Sequence, residues 1–512
     1  MSDVPWLLLM IVVPAIGAAV VAALPPAREA LARQLTLAVS VLVLLLAVGA
    51  TASFDPAGAR FQHVSSVDWI PEFGVSFALG VDGIALAMLL LTGLLVPVVI
   101  GASWRDTAPA NASMRAFWAW LLLLESTLVG VFAATDVFLF YVFFEAMLVP
   151  MYFLIGSFGG PARRYAAVKF FLYSLLGGLV MLAAVIGLFV VSESELGRGT
   201  FAFDALRQLD IDPGVQKLLF AGFALAFAIK SPLVPFHTWL PDAGAEAPIA
   251  GSVLLVGVLD KVGTYGFLRY CLPLFPDASR DLAPWVLTLA VAGVLYAALL
   301  AVGQTDLKRL VSYTSIAHFG FIALGIFAAT TEAATGAVVY MVNHGIATGL
   351  LFLVVGMVIS RTGSRRVADA RGLAETAPVL AGVFLVAGLA SLALPGTGSF
   401  VGEFLVLLGA FPERPVFTVV ATVGIVLAAL YVLLLVQRTL HGPPPDDAAP
   451  TGGGATAVAV RARVRDLTRL ETAVVAPLVA LVVVLGVYPQ PLIDLVTPAV
   501  EATLADLGGG TR

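Results

Sequence analysis

Four charged side chains lie inside long apolar stretches, where charges are costly. Glu145 is the only charge in FLFYVFFEAMLVPMYFLIG, and Lys230 lies in AFAIKSPLVPFHTWLPD. Lys261 lies in LLVGVLDKVGTYGFL, and Glu403 lies in LALPGTGSFVGEFLVLL. Each would cost roughly 2.5–3.5 kcal/mol to insert into a bilayer. These two lysines and two glutamates can gain and lose protons, so they suit proton transport. A passive membrane scaffold would not require such charges.

Three histidines extend this set. His318 and His344 lie in apolar stretches of their own, so we expect them to relay protons between the lysines and glutamates. His237 follows a proline-rich stretch, where it either relays protons or only supports the structure. Amide side chains, which carriers of sugars or amino acids use around their substrates, are nearly limited to Asn343 and Gln304 in these stretches. The set therefore suits H⁺ or Na⁺ better than an organic solute.

Two further carboxylates are candidates for the same pathway. Glu125, in WLLLLESTLVGVF, either belongs to the pathway or hydrogen-bonds to a neighbouring helix. Asp260 lies about 100° around a helix from Lys261, so it is either a local partner of that lysine or lines a cavity. The single cysteine, Cys271, excludes an intrachain disulfide and a Cys-based iron–sulfur site. GxGxxG and GxxxxGK[ST] motifs are absent, so we expect no cofactor and no metal on this chain.

The composition identifies the elements that must hold these residues. Of the 512 residues, 60% are hydrophobic and 12% are charged, and the mean hydropathy is +1.01. Soluble domains have about 25% charged residues, so this chain has too few charged residues to form the surfaces of soluble domains. Apolar stretches of 18 or more residues recur along the chain, which predicts an all-α, polytopic bundle of transmembrane helices. The net charge of −5 gives no sign of nucleic-acid binding.

We predict about fourteen spans. Their approximate limits are 4–24, 35–53, 80–103, 114–133, 135–158, 165–191, 215–235, 247–272, 283–303, 307–330, 333–360, 376–394 with a continuation at 399–410, 416–437 and 471–489. The first stretch has no Lys or Arg before it, so we expect a retained span and not a signal peptide. Of the 28 Lys and Arg residues, 18 fall in one set of alternate connections and 8 in the other. The richer set should face the cytoplasm, which places both termini outside.

Two of these spans contain helix-breaking residues. Pro232 and Pro235 interrupt the seventh span, and Pro395, Gly396 and Gly398 interrupt the twelfth. Unpaired backbone survives at membrane depth only beside protein or water. Because the two broken spans are five helices apart, they indicate two inverted five-helix repeats of the kind found in transporters.

The breaks also place helix ends beside two of the charges. Lys230 lies two residues before the first break, at a helix end with roughly half a negative charge. Glu403 lies about four residues into the second half-helix, near an end of positive character. These ends favour the charged form of each side chain, whereas burial favours the neutral form. Both groups are therefore expected to exchange protons near neutral pH.

Residues 230–270, KSPLVPFHTWLPDAGAEAPIAGSVLLVGVLDKVGTYGFLRY, closely resemble the subunit M family of bacterial NADH–quinone oxidoreductase, respiratory complex I. Four more segments fit the same family in the same order: 140–156, 312–321, 343–345 and 395–407. Subunits L and N, cation/proton antiporter subunits and membrane hydrogenase subunits share part of the pattern. The Ala-Glu-Ala-Pro sequence resembles the M type. About 20 residues follow the last span, too few for the lateral helix of subunit L.

The resemblance implies a proton-translocating subunit with fourteen helices. By match, Glu145 is the key glutamate of the fifth span, Lys230 and Lys261 are the lysines of spans seven and eight, and Glu403 is the outer glutamate of span twelve. Asp260 departs from the family, which more often has an apolar residue before the lysine. The implied divisions are an N-terminal three-helix segment (1–112), a first repeat (113–272), a second inverted repeat (273–440), a cytoplasmic linker (441–470) and a final span with a short tail (471–512).

The same resemblance implies the setting of this chain. It would be a subunit of a proton-translocating NADH:quinone oxidoreductase in the bacterial inner membrane, with L-type and N-type subunits on either side. NADH, FMN, iron–sulfur clusters and quinone would be bound by partner subunits, which must supply the energy. Moving one charge across 100 mV costs about 2.3 kcal/mol. The alternative is a subunit of a Na⁺/H⁺ antiporter or a membrane-bound hydrogenase.

Overall fold

The computed structural model describes residues 4–109, 112–442 and 465–508. Its two strands are β1 (Gln62–Ile70) and β2 (Val75–Val81). Its principal helices, in chain order, are α1 (Trp6–Ala23), α2 (Pro26–Ala52), α3 (Gly83–Ala102), α4 (Met114–Ala133), α5 (Val137–Phe158), α6 (Arg163–Leu196), α7 (Pro213–Lys230), α8 (Trp239–Glu246), α9 (Ile249–Leu274), α10 (Pro276–Val302), α11 (Leu307–Phe327), α12 (Thr331–Thr362), α13 (Pro378–Ser391), α14 (Gly398–Ala410), α15 (Pro415–Leu440), α16 (Arg469–Val487) and α17 (Gln490–Gly508).

The helical bundle predicted from composition is confirmed. Within the described ranges, 13 helices are long and apolar enough to cross a membrane. The shorter apolar helices α13 and α14 follow one another and together supply the remaining predicted span. The chain is therefore a multi-pass membrane protein. Most of the predicted linker, 441–470, lies outside the described residues.

Polar side chains begin several of these helices by accepting hydrogen bonds from free backbone N–H groups. Asp136 accepts from Leu139 N at 2.9 Å at the start of α5, and Asp306 accepts from Lys308 N at 2.9 Å at the start of α11. Thr468 and Glu471 form a reciprocal capping box at the start of α16. Such caps fix where a helix starts and hence which residues share a face.

Both predicted helix breaks are present. The chain leaves helical geometry after Lys230 and resumes it at Trp239, whose indole Nε1 donates to Ile229 O at 2.9 Å. At the second break, α13 ends at Ser391 and α14 begins at Gly398, with Gly396 at φ +96°. Neighbouring side chains thus satisfy part of the backbone that each break frees.

Helix α9, which carries Asp260 and Lys261, is irregular on either side of these residues. Residues Leu255–Leu259 and Phe267–Cys271 form π-helical turns, in which hydrogen bonds span five residues. Each π turn rotates the side chains that follow it relative to a regular α-helix. The most apolar stretch of α9 is buried completely, so protein surrounds its charged side chains on every side.

The sequence analysis missed a hairpin between α2 and α3. Strands β1 and β2 pair antiparallel, with Val67 opposite Phe77, and Gly74 at φ +60° makes the turn between them. The outer strand is exposed along most of its length. This hairpin shortens the third predicted span, which begins at Gly83 instead of residue 80.

The residues predicted as a short tail form helix α17. Its buried positions are Val496, Ala499, Val500, Thr503 and Leu507, which recur with the three- and four-residue spacing of an amphipathic helix. Asp506, at the edge of this buried face, pairs with Arg60 at 2.5 Å and with Arg207 at 3.1 Å. Helix α17 is therefore attached to the loop before β1 and to the segment after α6.

Candidate proton-relay site

Glu145 and Lys230 face one another from α5 and α7. The Lys230 ammonium is fully buried, and it lies 4.9 Å from the centre of the Phe144 ring. The Glu145 carboxylate is half-buried and lies against Gly178 of α6. The two charges interact electrostatically, although they form no ion pair within 4.0 Å in the described part of the chain. This separation leaves Lys230 free to respond to other charges.

Lys261 is bound directly to a histidine. Its ammonium Nζ lies 2.7 Å from His344 Nδ1 and donates to Val256 O at 2.5 Å. Val256 lies five residues before Lys261, and the π turn between them brings its carbonyl within reach of the ammonium. The Phe319 ring covers the same ammonium at 5.2 Å. Lys261 and His344 are therefore in direct contact.

A row of rings continues from His344 toward the second break. The His344 and His318 ring centres are 5.2 Å apart, and His318 Nε2 lies 3.3 Å from the Tyr431 hydroxyl. The His318 ring also lies 5.7 Å from the Tyr340 ring. His344 Nε2 and His318 Nδ1 have no hydrogen-bond partner among the described residues. One nitrogen on each ring is therefore open to accept or release a proton.

Glu403 ends this row. Its carboxylate Oε2 accepts a hydrogen bond from the Tyr340 hydroxyl at 2.9 Å, and 7% of the residue is exposed. Helix α14 begins at Gly398, so Glu403 is its sixth residue and lies in the second turn. The sequence-based prediction placed it about four residues into the helix. Because the charge of a helix end acts mainly within the first turn, the effect on Glu403 is weaker than predicted, and Tyr340 is its direct partner.

The structure brings Asp260 to the lysines but does not bring Glu125 there. Both carboxylates are fully buried, and neither has a hydrogen-bond partner among the described residues. Asp260 interacts electrostatically with Lys230 and with Lys261. Glu125, in α4, has no such charged partner in the described ranges. Two residues that looked alike in the sequence therefore occupy different environments.

His237 lies within the first break, apart from the other histidines. Its ring contacts Tyr296 of α10 with ring centres 5.5 Å apart, and its Nδ1 has no hydrogen-bond partner in the described part of the chain. Within the same described ranges, no group of three or more His, Cys, Asp or Glu side chains could hold a metal ion.

Three residues of the site were not singled out as relay candidates. Tyr340 and Tyr431 supply the hydroxyls between His318 and Glu403. Asn343 donates from Nδ2 to Gly398 O at 2.8 Å, which fastens α12 to the start of α14. In the sequence, Tyr340 stands four residues before His344, a spacing that places both on one face of a helix. This spacing is the feature of the sequence that could have indicated Tyr340 as part of the site.

The arrangement places titratable side chains one after another along the middle of the bundle. Lysine, histidine, tyrosine and carboxylate groups follow one another from α9 through α12 and α11 to α14. Each is buried, so a charge on one group strongly affects its neighbours. A fourteen-span bundle with two broken helices and buried lysines belongs to the class of antiporter-like membrane proteins.

Comparisons with known proteins agree with this class. Residues 134–428 match the family described as "NADH:quinone oxidoreductase/Mrp antiporter, TM". NADH-quinone oxidoreductase subunit M of Mycobacterium tuberculosis is 46% identical over 99% of this chain and 95% of its own length. Subunit M of Escherichia coli (strain K12) is 40% identical over 90% of this chain and 88% of its own length. The chain belongs to the NADH-quinone oxidoreductase subunit M family.

Solved structures share the same fold. A chain of respiratory complex I from Thermus thermophilus superposes with a TM-score of 0.86 at 33% identity, covering 98% of this chain and all of the other. A chain of the Mrp complex from Dietzia sp. DQ12-45-1b gives a TM-score of 0.85 at 24% identity and covers 99% of this chain and 98% of its own. At that identity, the second likeness concerns the fold alone.

Proposed function

We propose that this chain translocates protons as a membrane subunit of NADH-quinone oxidoreductase, using the buried groups described above as the relay. NADH oxidation and quinone reduction take place on partner subunits, which bind NADH, FMN, the iron–sulfur clusters and quinone. Charge changes in the neighbouring membrane subunits drive the relay. The observation that carries this proposal is the row of groups from Lys261 to Glu403, with Lys261 Nζ 2.7 Å from His344 and Tyr340 2.9 Å from Glu403.

The relay works through the balance between Glu145 and Lys230. While the glutamate is negative and near, its electrostatic attraction holds the proton on Lys230. When that attraction is withdrawn, burial favours the neutral lysine, and the proton moves on toward Lys261. His344 and His318 receive it next, and Glu403 releases it at the opposite side. His237 supports the first break in this scheme, and Glu125 takes no part.

The proposal includes an arrangement in the membrane. The repeats comprise 113–272 and 273–440, each with one broken span, between an N-terminal segment 1–112 and a final part 471–512. The chain lies in the bacterial inner membrane, between L-type and N-type subunits. Both termini face the outside, because the basic connections mark the cytoplasmic side.

A Na⁺/H⁺ antiporter subunit or a membrane-bound hydrogenase subunit is the alternative assignment. It rests on the shared fold, since the Mrp chain is 24% identical, whereas subunit M of Mycobacterium tuberculosis is 46% identical over nearly the full length. The buried polar groups fit H⁺ in either assignment. The comparison of relatives therefore favours the oxidoreductase.

The direct experiment replaces Glu145 in the complete complex. Glu145→Gln keeps the size of the side chain but cannot carry a negative charge, so the complex should assemble and lose most of its proton pumping. Quinone reduction should fall with it, because the two processes are coupled. Glu145→Asp keeps the charge and should be milder. Pumping is measured in sealed inverted vesicles with a pH-sensitive dye, and a Gln variant that pumps fully removes Glu145 from the mechanism.

A further inference from the structure

Asp260 lies on the face of α9 that packs against the first break. A Cβ atom added at Gly263 would lie 2.6 Å from Ser231 N, so α9 touches the backbone directly after Lys230 at this point. Asp260 is three residues before Gly263, and residues with that spacing share one face of a helix. Lys261 lies around the helix from this face and binds His344 of α12. Asp260 is therefore next to Lys261 in the chain and on the side of α9 that faces the end of α7.

The surroundings of Asp260 exclude the simplest structural role. It forms no ion pair within 4.0 Å with Lys261 or any other described cation, and neither of its carboxylate oxygens has a hydrogen-bond partner among the described residues. A fully buried carboxylate without partners is expensive, and Asp260 differs from the equally buried Glu125 in having charged neighbours. Its electrostatic interaction reaches Lys230 on one side and Lys261 on the other.

We propose that Asp260 carries the proton from Lys230 to Lys261, and thereby joins the two halves of the relay. An N–H bond of the Lys230 ammonium breaks, a bridging water takes this proton and gives one of its own to the Asp260 carboxylate, and Lys230 is left as a neutral amine. The O–H bond on Asp260 then breaks, and a second bridging water passes a proton in the same way to the neutral amine of Lys261. At each stage one proton is shared among the three groups, so the cluster never holds two positive charges beside one negative charge.

This role explains why a single carboxylate serves two lysines. Among the described residues, Asp260 is the carboxylate that interacts with Lys261 electrostatically, since Glu403 is separated from it by the histidines and Tyr340. A positive Lys261 next to positive Lys230 would repel it in a low dielectric. A negative Asp260 can balance one ammonium at a time. The shared carboxylate therefore makes the protonated states of the two lysines alternate.

The inference rests on the proposed function and is tested in the complete complex in sealed inverted vesicles. Asp260→Asn keeps the shape of the side chain but cannot take up and release a proton, so pumping should fall by about tenfold or more. Asp260→Glu keeps the carboxylate and should retain most of the pumping. Glu125→Gln is the matched control, because it removes an equally buried and unpaired carboxylate that has no charged neighbour. It should pump as the unmodified complex does.

The outcomes separate this inference from the proposed function. If Glu145→Gln abolishes pumping and Asp260→Asn leaves it unchanged, only the role of Asp260 is overturned. If Glu145→Gln also pumps normally, the proposed relay from the Glu145–Lys230 pair fails, whatever the Asp260 variants do. If Asp260→Asn prevents assembly on a native gel, Asp260→Ser, which is smaller, carries the same test. Equal pumping by the Asn and Glu variants would overturn the inference too, because a role in shape or polarity alone predicts that result.

Discussion

The contact between Glu145 and Gly178 allows the position of the carboxylate to be changed without changing its chemistry. A Cβ atom at residue 178 would overlap Glu145 Oε1 and lie 3.2 Å from Oε2, whereas ordinary contacts are 3.4–4 Å long. In Gly178→Ala the carboxylate must therefore move by on the order of 1 Å or more, a displacement that can cost about 10²-fold in rate. The variant tests whether the relay depends on where this charge lies.

The free energy of folding should change little in the same variant. Alanine in place of glycine inside a helix stabilises it by about 0.8–1.0 kcal/mol. Turning Glu145 into a less favourable rotamer costs about 0.5–1.5 kcal/mol, because the atoms that must move are at the flexible end of the side chain. The two contributions nearly cancel. Assembly of the Gly178→Ala complex should therefore be normal while its pumping falls by about 10²-fold.

The assay compares initial rates of proton uptake into inverted vesicles at equal amounts of assembled complex. Gly382→Ala in α13 is the matched control, since a Cβ at that position would meet no atom within 4 Å. It makes the same chemical change inside a helix but displaces nothing. If Gly178→Ala pumps as fast as Gly382→Ala, the position of the Glu145 carboxylate does not control the relay, and the reasoning is refuted.

Three further outcomes follow from the site and the arrangement in the membrane. Glu403→Gln should assemble, as a native gel would show, and pump poorly in the vesicle assay because it cannot titrate. Glu403→Lys should pump still less. A Gln variant that pumps at the unmodified rate contradicts a relay role for Glu403. Tyr340→Phe removes a hydrogen bond to a charged group, worth about 1.5–3 kcal/mol, and should slow pumping about 10- to 150-fold. Unchanged pumping would show that the hydroxyl is not needed. The single native cysteine, Cys271, is fully buried, so a maleimide that cannot cross membranes should not label it. This reagent should label Arg366→Cys only from the cytoplasm and Arg198→Cys only from outside. The reverse labelling would mean that the topology is inverted.

The sequence was sufficient to find the main charges because an ionisable residue in an apolar span is unusual by itself. Tyr340 and Tyr431 were not recognised as relay candidates because an aromatic residue in such a span is usually a packing residue. Their role depends on hydroxyls meeting His318 and Glu403 from other helices. Such a meeting is a property of the packed bundle, which the order of residues along one helix does not contain.

The two carboxylates Asp260 and Glu125 show the same limit for charges. Each is a carboxylate within a predicted span, and the sequence left two interpretations open for both. The structure separates them because the face of α9 that carries Asp260 meets the end of α7, whereas α4 brings Glu125 to no cation in the described ranges. Helix α17 was missed for a related reason, since its partners Arg60, Arg207 and Arg280 are remote in the chain.

The attachment of α17 also has a consequence for the order in which the protein is made. Asp506 binds Arg60, which lies 446 residues earlier, and Arg280 donates to Leu507 O across 227 residues. At about 5–20 residues per second, roughly 20–90 s separate the synthesis of Arg60 from that of Asp506. During that time Arg60 cannot form its ion pair with Asp506. The loop before β1 is therefore attached to α17 only after every predicted span has been synthesised.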